Sequence, residues 1–472
     1  MKTMTRKLGR FPDGERGRLA AWFEHHPVGV NLSLEILEAV EDVSRLREQS
    51  AGTILQAAAL TCSESKNRGP RALGRQVRDY LMSCVRQEGG MWGEKIDAAS
   101  RSFQPFSPES LIVERSVVTS PMAVRVRTQF PKIPLEEIDD FRAWKVPGPM
   151  TEAKRILALV RHRGSFLKPF PKIRHAVNCG DYVFNPVSNC HLECTYCILQ
   201  SYLKNNPVLT LAANIDDFLQ AIEARVREEP ERIFRIGTGE LSDSLALDDL
   251  TSLSRELVPF FARLPNAFLE LKTKSDRIGN LLELDSRGHT VVSWSLMPEV
   301  IAMREELKCA SITERIDAAA RIQAAGYPVG LHLDPMIHFD GWQEAYQGLM
   351  AQLSDKLDPR RIAWVSIGSL RFDRALKEVA TQRFPKTKIF ADDFIAAPDG
   401  KMRYFKKLRI EMYRQVWHGL RAWSDEFPHY LSMEPAWMWE EVTGAPAPEP
   451  LRLERTLTNR LGQLSNGQSR KM

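Results

Sequence analysis

Three cysteines stand close together in "SNCHLECTYCILQ" (188–200): Cys190, Cys194 and Cys197, spaced C-x3-C-x2-C. A short loop turns such thiolates toward one region, and thiolates suit zinc, copper(I) and iron–sulfur clusters. A closed structural zinc site takes four ligands. His191 or Cys179 is available as a fourth, but no second C-x2-C pair follows downstream, so the usual paired-knuckle pattern is absent. An iron–sulfur cube on three thiolates leaves one iron without a protein ligand. A small molecule can bind there, and the missing ligand becomes an active site.

The loop needs a frame to hold it. From residue 180 onward short β-rich runs alternate with helical stretches. Strands are expected at 182–187, 233–239, 268–273, 290–296, 328–337 and 363–370. Helices are expected at 214–229 and 311–326, the second with Ser311 and Glu314 as a capping box and Gly326 as its stop. Six β–α units in series imply a parallel sheet with crossover helices. Polar and glycine residues gather at the C-terminal strand ends, the chemical rim of a barrel. The expected fold class is therefore α/β, a partial (β/α)6 barrel of TIM type with an added, mainly helical N-terminal region. The expected organisation is a helical extension (1–105), a segment with a basic linker (111–178), the barrel (179–390), a basic and aromatic hairpin and helix (391–440), and a loosely ordered tail (441–472).

Four strand ends carry further candidates. "RIGTGELSDS" (235–244) offers Gly237 and Gly239, where backbone approaches a ligand closely, and Glu240, an acceptor for an ammonium; an ordinary βα turn reads the same way. "LKTKSD" (271–276) alternates Lys272 and Lys274 on one strand face, either an anion site or a solvated pair. "SWSL" (293–296) brings Ser293 and Ser295. "LHLDP" (331–335) brings His332 and Asp334, a polar pair in a barrel mouth or a satisfied core histidine.

The 472 residues exceed one compact core. Seven cysteines at irregular spacings argue against a secreted disulfide framework. The start lacks the apolar stretch of a signal peptide, and no apolar run is long enough for a membrane span. The cytoplasm is the expected location. A net charge of +5 is mild, so nucleic-acid binding has to come from local patches. Three basic stretches fit that role: 66–78, 153–175 and 401–414, the last two interleaved with aromatics. "FIAAPDGKMRYF" (394–405) has the turn chemistry of a hairpin, and Lys401, Arg403 and Arg409 are its expected DNA contacts.

C-x3-C-x2-C after the first strand of a β/α part-barrel resembles the radical S-adenosylmethionine (SAM) superfamily. The resemblance implies a [4Fe–4S] cluster on Cys190, Cys194 and Cys197 whose open iron chelates SAM. It implies a 5′-deoxyadenosyl radical after transfer of one electron from an external donor such as flavodoxin or ferredoxin. "GTGE" resembles the element that holds the SAM amino group, which gives that role to Gly237, Gly239 and Glu240; Lys274 and Ser295 would serve the carboxylate or ribose. The stretches "IGTGELSDSLALD", "LKTKSD", "VVSWSLMPE", "GLHLDPMI", "WVSIGSLRF" and "RYFKKLRIEMY", with 111–140, together resemble the spore photoproduct lyase family over about residues 111–435. That implies hydrogen abstraction from a methylene-bridged thymine dimer in DNA, with Tyr196 as the family's tyrosine before the third cluster cysteine. The sequence departs from the family twice. Glu240 or Leu241 stands where a thiol returns hydrogen, with Cys309 as a possible substitute, and Ile198 stands where a second tyrosine follows the cluster. Two other functions stay compatible: the same radical chemistry on RNA, a peptide or a small metabolite, and a non-catalytic, zinc-stabilised nucleic-acid binder.

Overall fold

The computed structural model of the chain describes residue 8, residues 11–25, isolated positions between 33 and 77, and residues 102–469 apart from 147 and 172–175. The chain divides into two units, 1–97 and 98–472. In the first, the helix Asp13–His25 buries Leu19 and Phe23, four residues apart and so on one face. Most of the rest of the expected helical extension, and the basic stretch 66–78, lie outside the described residues except at isolated positions.

The second unit is built on six parallel strands in sequential order: β1 (Tyr182–Val183), β2 (Phe234–Gly237), β3 (Ala267–Thr273), β4 (Thr290–Ser295), β5 (Val329–Met336) and β6 (Ile362–Ser369). His429–Leu431 extends the sheet beyond β6 in parallel, and Lys168–Pro169 extends it antiparallel beyond β1. Sequential parallel order with crossovers on one side curls such a sheet into a half-barrel. The helix Ser254–Phe261 crosses from β2 to β3, Ile312–Ala324 from β4 to β5, and Trp342–Lys356 from β5 to β6. Between β3 and β4 only a 3-10 turn, Leu281–Glu283, takes the place of a helix. The capping box of Ser311 and Glu314 is formed, and Gly326 adopts a φ of 96° as the stop.

The strand expected at 182–187 is two pieces. Tyr182–Val183 pairs with β2, whereas Val187–Ser188 pairs with Leu209–Ala212 in another sheet. Pro186 lies between them and has no N–H for a ladder. That second sheet runs in the order 135–138, 110–114, 156–160, 209–212, 187–188, so the chain passes from one sheet to the other just before the cysteine loop. A three-stranded antiparallel sheet holds the expected hairpin, Phe394–Ala396 against Met402–Tyr404, with Gly400 at φ 80° in its turn.

The tail differs from expectation. Pro450–Ser469 is a helix. Leu453, Leu457 and Leu461 recur every four residues and are buried, giving it an apolar face to dock. Arg460 fixes it by donating to the carbonyls of Ile362 at 3.0 Å and Arg360 at 2.8 Å.

Candidate active site

The cysteine loop leaves the Val187–Ser188 strand through two left-handed residues, Asn189 (φ 70°) and Glu193 (φ 53°). Asn189 tolerates this conformation, and its side-chain oxygen accepts from the Cys190 N–H at 2.8 Å. Glu193 is clamped by Lys154 at 3.1 Å and Arg383 at 2.6 Å. The Gln200 amide donates to the carbonyls of Cys194 and Thr195. Cys194 is buried, and Cys190 and Cys197 pack half-buried against the same patch of Phe103, Leu192, Ala246 and Ala310. Burial pushes the Cys190 and Cys197 thiols up. Cys194 is raised by its contact with Cys309, 3.6 Å away, and then by burial. The three thiols are one another's electrostatic neighbours.

Among the described residues no three His, Cys, Asp or Glu side chains converge as a single metal ion requires. A four-iron cube binds each thiolate through a different iron and makes no such demand. Three soft donors in one apolar pocket suit it. Neither expected fourth zinc ligand joins them. His191 bonds the Gln104 carbonyl through Nε2 at 3.1 Å and packs on Phe103 and Phe106. Cys179 donates to Asp181 at 3.1 Å, beside Arg235. Cys309 packs against Cys194.

A charged cluster adjoins the loop. The Tyr196 hydroxyl donates to Glu306, which also accepts from the buried Arg315. Lys274 lies 4.0 Å from Glu306 and over the Tyr196 ring. Arg315 donates to the Ser295 carbonyl at 3.0 Å and so fixes the end of β4. Asp243 joins strand ends: it accepts from the Thr273 hydroxyl and the Lys274 N–H, both at 2.7 Å.

Beside this cluster the half-barrel encloses a cavity of 670 Å³. On β3, Leu269 and Leu271 are buried against the helices, while Glu270 and Lys272 alternate into the cavity. Glu270 accepts from His332 at 2.8 Å. Asp334 takes a two-pronged bond from Arg371 at 2.9 and 3.1 Å. Burial raises both carboxylates, but the His332 bond and Lys272 bring Glu270 down to about 2, and Arg371 brings Asp334 to about 2. Burial and Lys272 hold His332 below its usual value, so its ring is neutral and donates. Gly237, Gly239 and Glu240 form another wall. Glu240 is engaged by Lys168 at 2.9 Å and by the Asn185 amide at 2.6 Å.

The structure thus gathers Lys274 and Tyr196 with the cysteines around Glu306, and Gly237, Gly239 and Glu240 around the cavity with His332 and Asp334. Ser295 closes β4 above Arg315. Glu270, Glu306 and Arg371 were not foreseen. Glu270 sits in the same alternation as Lys272 and Lys274, and that signal was present in "ELKTK" (270–274). The expected DNA contacts are largely withdrawn. Arg403 is tied to Asp399 and Arg409 to Glu434, and both guanidinium groups are buried. In 153–175, Lys154, Arg155, Arg161, Arg163 and Lys168 all have carboxylate partners, while Lys172 and Arg174 lie outside the described residues.

A sequential parallel half-barrel, a three-thiol loop entering it after β1 and a polar cavity beneath define the class: the radical SAM type of fold. A family model described as spore photoproduct lyase matches residues 170–407. The curated spore photoproduct lyases of a Geobacillus species and of Bacillus subtilis are each 24% identical over 298 residues, which covers 61% of this chain and 86% of theirs. A solved spore photoproduct lyase mutant with bound AdoMet and dinucleoside spore photoproduct superposes with a TM-score of 0.64 at 22% identity, over 70% of this chain and 100% of that one. The lyase complexed with the dinucleoside spore photoproduct gives 0.63, with the same identity and coverage. The chain belongs to the spore photoproduct lyase family.

Proposed function

We propose that the chain is a radical SAM lyase that repairs a DNA photoproduct in which two thymines are joined. The observation that carries this is three cysteines packed on one apolar patch beside a cavity lined by paired charges. Cys190, Cys194 and Cys197 would hold a [4Fe–4S] cluster, and Gly237, Gly239, Glu240, Lys274 and Ser295 would hold SAM. Bound there and given one electron by flavodoxin or ferredoxin, cluster and SAM supply a 5′-deoxyadenosyl radical.

The chain's own residues position and shield. Lys274, at the β3 end, offers an ammonium to the SAM carboxylate beside Cys194, which is among its electrostatic neighbours. Gly239 leaves room: an added Cβ would lie 3.1 Å from Lys272 Cβ. Tyr196 packs against the cysteine pocket, holds its hydroxyl hydrogen toward Glu306 and is the catalytic residue of this reading. Of the other described thiols, Cys309 packs on Cys194 and Cys179 lines the cavity, donating to Asp181; Glu240 or Leu241 stands where the family has its thiol.

A lesion must leave the duplex to enter the cavity, and a distorted dimer unstacks at lower cost than normal bases. The hairpin and the helix after it keep Ile395, Phe405 and Lys407 exposed for that contact. No helix of the described residues is long and apolar enough to cross a membrane; a DNA substrate and an oxygen-sensitive cluster suit the cytoplasm. The test is anaerobic incubation of reduced, reconstituted protein with SAM and the dinucleoside spore photoproduct. Thymine products are expected. SAM cleavage with the lesion left intact would turn the reading toward another substrate.

A further inference from the structure

Of the charges lining the cavity, Asp181 is paired with Arg235, Glu454 with Arg232, Asp334 with Arg371, and Glu240 with Lys168 just outside the lining. Glu270 has the neutral His332. Lys272 is different. Its side chain lines the cavity, and its ammonium has no hydrogen bond or ion pair among the described residues. Its stem packs on Gly239, and its backbone N–H and carbonyl are bonded to Ser244 at 3.0 Å each, so the residue is held in place. The ammonium is half-buried and faces the cavity with no protein acceptor, and burial lowers its pKa. A ligand acceptor would complete it.

Charge narrows what that acceptor is. The four ion pairs cancel, and Glu270 and Lys272 cancel each other although they are not in contact. The cavity is therefore neutral as it stands. A phosphate or carboxylate would leave an uncompensated buried negative charge, whereas a carbonyl oxygen accepts the bond and preserves the balance. Pyrimidine-2,4-dione rings are uncharged and carry two such oxygens.

We propose that Lys272 is the specificity-determining donor of this cavity, its ammonium bonding a ring carbonyl of an uncharged pyrimidine-2,4-dione. This rests on the reading that a thymine photoproduct enters the cavity. Lys272 lies two residues before Lys274 on β3, roughly 7 Å along the strand. It would therefore hold the substrate ring below the SAM site and set which ring atom meets the radical.

The experiment measures anaerobic binding of the dinucleoside spore photoproduct to SAM-loaded holoenzyme by calorimetry, for wild type and Lys272→Met, with melting temperatures for both. Lys272→Met is expected to weaken binding by about 10-fold to 100-fold, and the melting temperatures show that the variant is folded. Inorganic phosphate should not compete with the dinucleoside. Binding by Lys272→Met within twofold of wild type overturns the proposal, as does competition by phosphate. A wild type that cleaves SAM yet fails to bind the dinucleoside overturns the lesion reading itself, and with it this inference.

Discussion

Around Cys194 the protein buries thiols among Leu192, Ala246 and Ala310; around Asp334 it buries full charges in contacting pairs. Both regions take polar atoms out of water, but they answer the cost differently. The thiols are near-apolar when protonated, so burying them costs the loop little. The cavity is electrically finished and lacks only an acceptor for Lys272. Substitutions in the loop should therefore abolish chemistry and spare the fold, whereas substitutions in the cavity pairs should damage the fold first.

The sharpest break of that contrast is at the loop. Cys194→Ala is expected to lower 5′-deoxyadenosine release by more than roughly 1000-fold and to shift urea stability of the cluster-free protein by less than about 1 kcal/mol. A large stability loss would place Cys194 in the core architecture instead. Next in size, Arg371→Met strands the Asp334 carboxylate in the cavity and should cost about 3 kcal/mol in chemical denaturation. A smaller effect follows from pH. Asp334 falls from 3.8 and Glu270 from 4.5, each to about 2. Their folded values are depressed, so their contribution is present above the unfolded values and is lost as pH falls from about 4.5 toward 2. Asp334→Asn should flatten that acid decline by on the order of 2 kcal/mol, read from urea midpoints across the window. Smallest is the surface. Lys407→Ala should reduce the salt slope of DNA binding by about one, while Arg403→Met should leave it unchanged because that guanidinium is already held by Asp399.

The two regions were also unequally legible. Cys190, Cys194 and Cys197 lie so close together that their spacing alone announces a site. Five of the six barrel strands were readable because each is a short apolar run with its own turn signals; the first, expected at 182–187, stops at Val183. The cavity is assembled from single residues on β2, β3, β5 and β6; Glu270 and its partner His332, 2.8 Å apart, are separated by 62 positions. Local sequence does not record such pairing. The same limit explains the basic stretches. Arg161 and Arg163 look free in sequence, but their partners Asp217 and Glu114 lie 56 and 49 residues away. Pro186 was visible, yet its effect, sending the chain into a second sheet, depends on the distant strand Leu209–Ala212. The tail misled because its Pro-rich lead-in hid the four-residue recurrence of Leu453, Leu457 and Leu461.

The most direct measurement is metal content and SAM turnover of one anaerobic preparation. Reconstituted, reduced protein is expected to be brown, to carry about four irons per chain and to release 5′-deoxyadenosine from SAM. A colourless protein with one zinc and no SAM cleavage would contradict the account.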